Sequence, residues 1–66
     1  MENGTKVKVV GDAFDDKALL GKTGFVAEQS VLYPNGVYVK IHGGQINPNN
    51  GELLKVWIDK KFLVRI

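Results

Sequence analysis

Tyr33-Pro34-Asn35-Gly36-Val37-Tyr38-Val39-Lys40-Ile41-His42 is the stretch that decides the fold. Its first four residues are a turn signal with a mechanism. Proline presets φ at the first central position, asparagine suits the second, and glycine suits a left-handed position after them. The pattern predicts a type I turn with a bulge at Gly36. The next six residues alternate. Val37, Val39 and Ile41 share one face, and Tyr38, Lys40 and His42 share the other. A half-buried strand leaving a tight turn implies an antiparallel partner on the turn's other side.

That partner lies in residues 21–32, G-K-T-G-F-V-A-E-Q-S-V-L. Gly24 suits a bend or the close approach of another backbone, and a long twisted strand is expected after it. Residues 5–10 read T-K-V-K-V-V, with Val7 and Val9 on one face and Lys6 and Lys8 on the other. Between these strands, residues 11–20 carry Asp12, Asp15 and Asp16, which break the strand pattern. A loop with one helical turn is expected there, with Phe14, Leu19 or Leu20 folded back over the core. Beyond His42, residues 43–51 hold three asparagines, three glycines and a proline. This is a long loop for so small a domain, either mobile or part of a binding surface, and Asn50-Gly51 is its natural turn. Residues 53–58 alternate again, with Leu54, Val56 and Ile58 opposite Leu53, Lys55 and Trp57. A polar break at Asp59-Lys60-Lys61 precedes a closing strand over residues 62–66.

The chain has 66 residues, room for one domain (residues 1–66, with 1–4 flexible) and too little core to surround a deep catalytic cleft. It has no cysteine, so neither a disulfide framework nor a thiolate metal site supports it. No apolar run approaches the roughly 20 residues of a membrane span, and no signal peptide opens the chain. A cytoplasmic location is therefore expected, and the domain is expected to be a monomer. The net charge of +2 permits an anionic partner without requiring one. Five short antiparallel strands in so short a chain cover their core by curling. The expected fold is all-β: a five-stranded antiparallel SH3-like barrel with at most one or two short helical turns.

The layout resembles the KOW-type, translation-protein SH3-like barrels. Val7 and Val9, Gly11, Phe14, Gly21, Gly24 and Val26 match their opening strand and the G-x-x-G-x-V start of their second strand. Ile58-Asp59-Lys60-Lys61-Phe62-Leu63-Val64 is similar to their closing turn and strand. Residues 15–20 depart from the KOW spacing, and the acidic loop is unlike a phosphate-facing one. The chain also resembles the small stromal SH3-like subunit of photosystem I, through Lys6-Val7, Gly24-Phe25-Val26, Tyr33-Pro34 and Asn49-Asn50. The first resemblance implies nucleic-acid binding, and the second implies a peripheral place in a photosynthetic complex.

Three candidate sites follow from the residues themselves. If residues 37–42 pair with residues 53–58, one register sets Tyr38 opposite Trp57 and Lys40 opposite Lys55, on the face away from Val39 and Val56. Aromatic rings beside ammonium groups suit a protein interface, or base stacking with phosphate neutralisation. Two facing lysines repel unless an anion lies between them. The plain alternative is that Trp57 packs on a barrel end or under the Phe14 loop and the lysines only solvate a face. The second candidate is a cationic set, Lys6, Lys8, Lys60, Lys61 and Arg65, gathered if first and last strands are neighbours, with edge protection as its plain alternative. The third is the pair of loops, residues 11–20 and 43–51.

Enzyme chemistry is not expected. His42 is the only histidine and has no nucleophile motif beside it. Asp12, Asp15 and Asp16 lack the spacing of an EF-hand. Gly21-Lys22-Thr23 lacks the upstream glycine of a phosphate loop. No cofactor is expected. The main reading is a non-catalytic module docking onto a larger protein or ribonucleoprotein assembly. The alternative is direct nucleic-acid binding through Lys6, Lys8, Lys40, Lys55, Lys60 and Lys61 with the same aromatics.

Overall fold

Valine alternation gives the strands, and the register gives the architecture. The structure, a computed structural model, describes residues 1–11 and 19–66. It contains β1 (Lys6–Val9), β2 (Thr23–Gln29), β3 (Gly36–Ile41), β4 (Lys55–Asp59), a 3-10 turn (Lys60–Phe62) and β5 (Leu63–Arg65). All pairings are antiparallel, in the order β4-β3-β2-β1-β5. The expected fold class holds: all-β, five antiparallel strands in one barrel-like sheet, with a single 3-10 turn among the described residues.

Connectivity forces the curl. β4 and β5 are opposite edges of the sheet, which would stand about 19 Å apart if it were flat. Only the three-residue 3-10 turn joins them, and it spans about 6 Å. The sheet therefore wraps until its edges approach at that corner. Its interior holds Val7, Val9, Val26, Val37, Val39, Ile41, Ile58 and Leu63, with Met1, Leu19, Val56 and Phe62 packed against them. Fully burying each aliphatic side chain contributes roughly 1.5–3 kcal/mol. Leu54, expected to share the inward face of Val56 and Ile58, precedes β4 and is 40% exposed.

Two glycines act through close packing. At Gly24 an added Cβ would strike the Lys40 carbonyl and stand 3.0 Å from Ile41 Cα, the backbone approach expected there. Gly36 differs from its expected role. It ends the turn, with its N–H donating to Tyr33 O at 3.1 Å, but it is not among the left-handed glycines. It is instead roofed by the Trp57 ring, with Ile58 O 2.7 Å from where a Cβ would stand. The expected bulge lies elsewhere, in β2, where the register shifts between Val26 and Glu28.

Residues 1–4, read from the sequence as flexible, are tied to the sheet. Gly4 N–H donates to Val26 O, and Gln29 Nε2 donates to Met1 O and Asn3 Oδ1. The asparagine-rich loop is a small hairpin of its own. Ile46 bridges Leu53, Asn47 and Glu52 are hydrogen-bonded, and Gly51 adopts φ +70 at the turn. The aspartates 12, 15 and 16 and the Phe14 lid lie outside the described residues.

Candidate binding face

Residues of the outer pleat line up across strands because each register fixes its neighbour. The β3–β4 register sets Tyr38 opposite Trp57 and Lys40 opposite Lys55, the pairing considered from the sequence. The β2–β3 register adds Glu28 opposite Tyr38 and Phe25 opposite Lys40, and the β1–β2 register adds Lys6 opposite Phe25. Two rows result: Glu28, Tyr38, Trp57, and beside it Lys6, Phe25, Lys40, Lys55.

The bulge at Ala27 decides the electrostatics. Strict alternation after Val26 would turn Glu28 inward. The extra residue restores Glu28 to the outer face, beside Tyr38, where it forms an ion pair with Lys55. The second facing lysine has its own anion, since Lys40 Nζ lies 3.9 Å from Glu52 on the asparagine hairpin. The anion that two opposed lysines require is thus supplied from within the chain, twice. The Lys55 ammonium is held above its usual range by the Glu28 hydrogen bond and charge, against the opposing effect of desolvation. It also stands 5.7 Å from the Tyr38 ring centroid. A cleft of about 480 Å³ lies over these groups, lined by Glu28, Lys40, Asn47, Asn50, Glu52 and Lys55 among others.

Trp57 does more than present a ring. Its indole covers Gly36, its Nε1 donates to Tyr33 O at 3.3 Å, and it meets the Tyr33 ring edge-on at 6.3 Å. It is partly buried, packed on Gly36 and Tyr33.

The cationic set is not one row. Lys6 and Lys8 project from β1, and the cross-strand neighbour of Lys8 on β5 is Val64. Arg65 sits opposite Val7 instead. Lys60 and Lys61 occupy the 3-10 turn, where Lys60 N–H donates to Asn35 O. His42 is exposed, with Nδ1 3.3 Å from Thr23 Oγ1 and its ring 6.1 Å from Phe25. Among the described residues no three His, Asp, Glu or Cys side chains gather closely enough to hold a metal ion, and no helix is long and apolar enough to cross a membrane.

The largest feature missed from the sequence is the β2–β3 tip. Val31 is 91% exposed, Leu32 84% and Tyr33 64%. The signal was available: S-V-L-Y-P places three large apolar residues where alternation has stopped and the turn has begun. Phe25, Glu28 and Glu52 were also missed as members of the face. Their placement depends on a bulge and on a loop folding back.

No protein-family model, curated protein or solved structure matches the chain.

Proposed function

We propose that this chain is a non-catalytic binding module, a cytoplasmic monomer in isolation, that docks a larger protein assembly through its outer aromatic face. The observation that carries the reading is internal charge compensation. Tyr38 and Trp57 sit beside Lys55 and Lys40, which are already paired with Glu28 and Glu52, so this part of the face offers rings and neutralised polar groups, with Lys6 at its margin outside those pairs. Tyrosine and tryptophan on a rigid sheet suit a protein interface. The plain test follows Tyr38→Ala, which leaves the Gly36 cover intact, in cross-linking of the protein in its host. Loss of a specific cross-linked partner from Tyr38→Ala, with the fold retained, is expected. An unchanged cross-link pattern would remove the face from the reading.

Nucleic-acid binding in the manner of KOW-like barrels is the second reading. Lys6 beside Phe25, with Lys8 further along β1, favours it. Among the described residues neither lysine has an ion-pair partner. Affinity for a polyanion falls with salt in proportion to the phosphates neutralised. A nearly flat salt response is expected of the wild type. In Glu28→Gln/Glu52→Gln, which releases Lys55 and Lys40, binding and salt slope should both rise. A steep wild-type slope would favour the second reading. A place at the periphery of a photosynthetic complex is a special case of the first.

A further inference from the structure

The exposed tip between β2 and β3 combines an apolar end with an unusually fixed base. Val31, Leu32 and Tyr33 project in sequence, followed by exposed Pro34. Beneath them, buried Ser30 accepts the Tyr33 N–H on its Oγ at 3.2 Å. Tyr33 O accepts from Gly36 N–H and from Trp57 Nε1. Asn35 Nδ2 donates to Asp59 Oδ2 at 2.9 Å, and Asn35 O accepts from Lys60 N–H at 3.0 Å. The tip is thus held out by hydrogen bonds rather than by burial of its own side chains. Lys60 and Lys61 occupy the 3-10 turn that adjoins the tip through Lys60 N–H and Asn35 O; the Lys61 ammonium lies 5.1 Å from the Phe62 ring centroid, and among the described residues neither lysine has a carboxylate within ion-pair distance. The one carboxylate at the base, Asp59, accepts from Asn35 Nδ2 and Lys61 N–H.

We propose that this tip is a membrane-surface anchor for an anionic bilayer: Val31 and Leu32 enter the acyl boundary, Tyr33 lies at headgroup depth, and Lys60 and Lys61 meet the lipid phosphates. Each part matches what an interface demands. Large aliphatic side chains supply buried apolar area, and amphipathic rings settle at the headgroup level. The Tyr33 N–H and carbonyl are both hydrogen-bonded within the chain, which fixes the base of the tip at headgroup depth. Basic residues near an anionic leaflet add attraction that fades within a Debye length. A protein partner is the less favoured occupant. A specific protein interface uses about 800 Å² on each side, whereas three consecutive residues form a narrow protrusion that a fluid acyl layer can receive without a matching pocket.

The test is co-sedimentation and Trp fluorescence with two sets of vesicles, phosphatidylcholine alone and phosphatidylcholine mixed with phosphatidylserine. The wild type is expected to partition onto the mixed vesicles, weakly onto the neutral ones, and less as salt rises. Val31→Ser/Leu32→Ser should reduce partition about tenfold or more. Lys60→Gln/Lys61→Gln should reduce it about thirtyfold on the mixed vesicles at low salt and leave the neutral ones nearly unchanged. Leu32→Trp places a reporter at the tip itself, and its emission should move to shorter wavelength on the mixed vesicles. The proposal is overturned by absence of wild-type partition at millimolar lipid, by serine variants that partition as the wild type does, or by a Leu32→Trp emission that stays that of a hydrated indole on vesicles that have bound. It also fails if the tip proves essential for a host protein partner while vesicles bind neither form.

Discussion

The two loops at the ends of β3 solve the same problem with opposite chemistry. The loop before β3 is apolar at its tip and fastened to the framework through Ser30, Trp57, Asp59 and Lys60. The loop after it is polar and fastened mainly to itself. Asn47 O accepts from Gly51 N–H, Asn47 Oδ1 accepts from Asn49 N–H, and Asn50 Oδ1 accepts from Glu52 N–H. A self-bonded polar loop can open without disturbing the core, as local opening requires. The framework-bonded tip is tied through Tyr33 to the Trp57 indole that covers Gly36. The contrast identifies the first loop as a rigid presenter of side chains and the second as an adjustable wall of the cleft.

Glycine substitutions test that contrast most severely. Gly36→Ala would drive a methyl into the Trp57 ring and leave it 2.7 Å from Ile58 O. Forcing an extra carbon into so tight a site should cost about 3 kcal/mol or more, and in a domain this small the variant should be largely unfolded on chemical denaturation. Gly51→Ala meets nothing within 4 Å and pays only for φ +70, about 1–2 kcal/mol. Equal losses at the two positions would break the distinction between the loops.

Trp57→Ala should fall between these extremes. It removes the cover of Gly36, the hydrogen bond to Tyr33 O and the edge-on ring contact together. A loss of about 2–3 kcal/mol is expected, below the 3–5 kcal/mol typical of a fully buried tryptophan because the ring is partly exposed. Backbone hydrogen exchange gives the sharper reading. Gly36 N–H should lose protection before Gly51 N–H gains any change.

Much of the framework was legible because alternation is a two-residue rule that needs no distant information. Val7, Val9, Val37, Val39 and Ile58 could be placed inside from their spacing alone, and pairing two such stretches offered the Tyr38–Trp57 register as one possibility. What the sequence hid depended on interruptions to that rule. A bulge at Ala27 reverses the side on which Glu28 emerges, and nothing in F-V-A-E-Q announces it. Gly36 was legible as a turn residue but misassigned in cause, since its need for a bare Cα comes from Trp57, 21 positions later in the chain. The compensation of Lys40 by Glu52 likewise needed the asparagine loop to fold back over β3.

Acidification should loosen the tip before the asparagine hairpin. Asp59 is held below the usual carboxylate range chiefly by the Lys61 N–H hydrogen bond, aided by Asn35 and the Lys61 charge and opposed by desolvation. A carboxyl with a depressed folded value contributes stability that is complete above its unfolded value near 3.8 and is lost as pH falls through the folded one. Denaturation midpoints should therefore decline below about pH 4. Asp59→Asn should flatten the part of that decline due to this group. The asparagine hydrogen bonds within the second loop carry no such dependence. Protection of Gly36 N–H should fall with pH while that of Gly51 N–H stays level. A decline of equal steepness in Asp59→Asn would assign the acid sensitivity elsewhere.

The smallest effect belongs to the pair that most influences the functional reading. Lys55 and Glu28 are about half exposed, so their attraction is screened and their ordering costs side-chain entropy. The Lys55 value is raised, which means its contribution is complete at neutral pH and is lost only as pH climbs through the folded value, above 10.5. Lys55→Gln should therefore shift the denaturation midpoint at pH 7 by no more than experimental scatter, and the wild type should match it in strong alkali. The same substitution leaves Glu28 without its cation beside Tyr38 and lowers the charge of the face by one. A binding partner that tolerates the change reads the rings, whereas one that is lost with it reads the charge, and the two outcomes separate aromatic docking from phosphate recognition at a position where stability cannot confuse the answer.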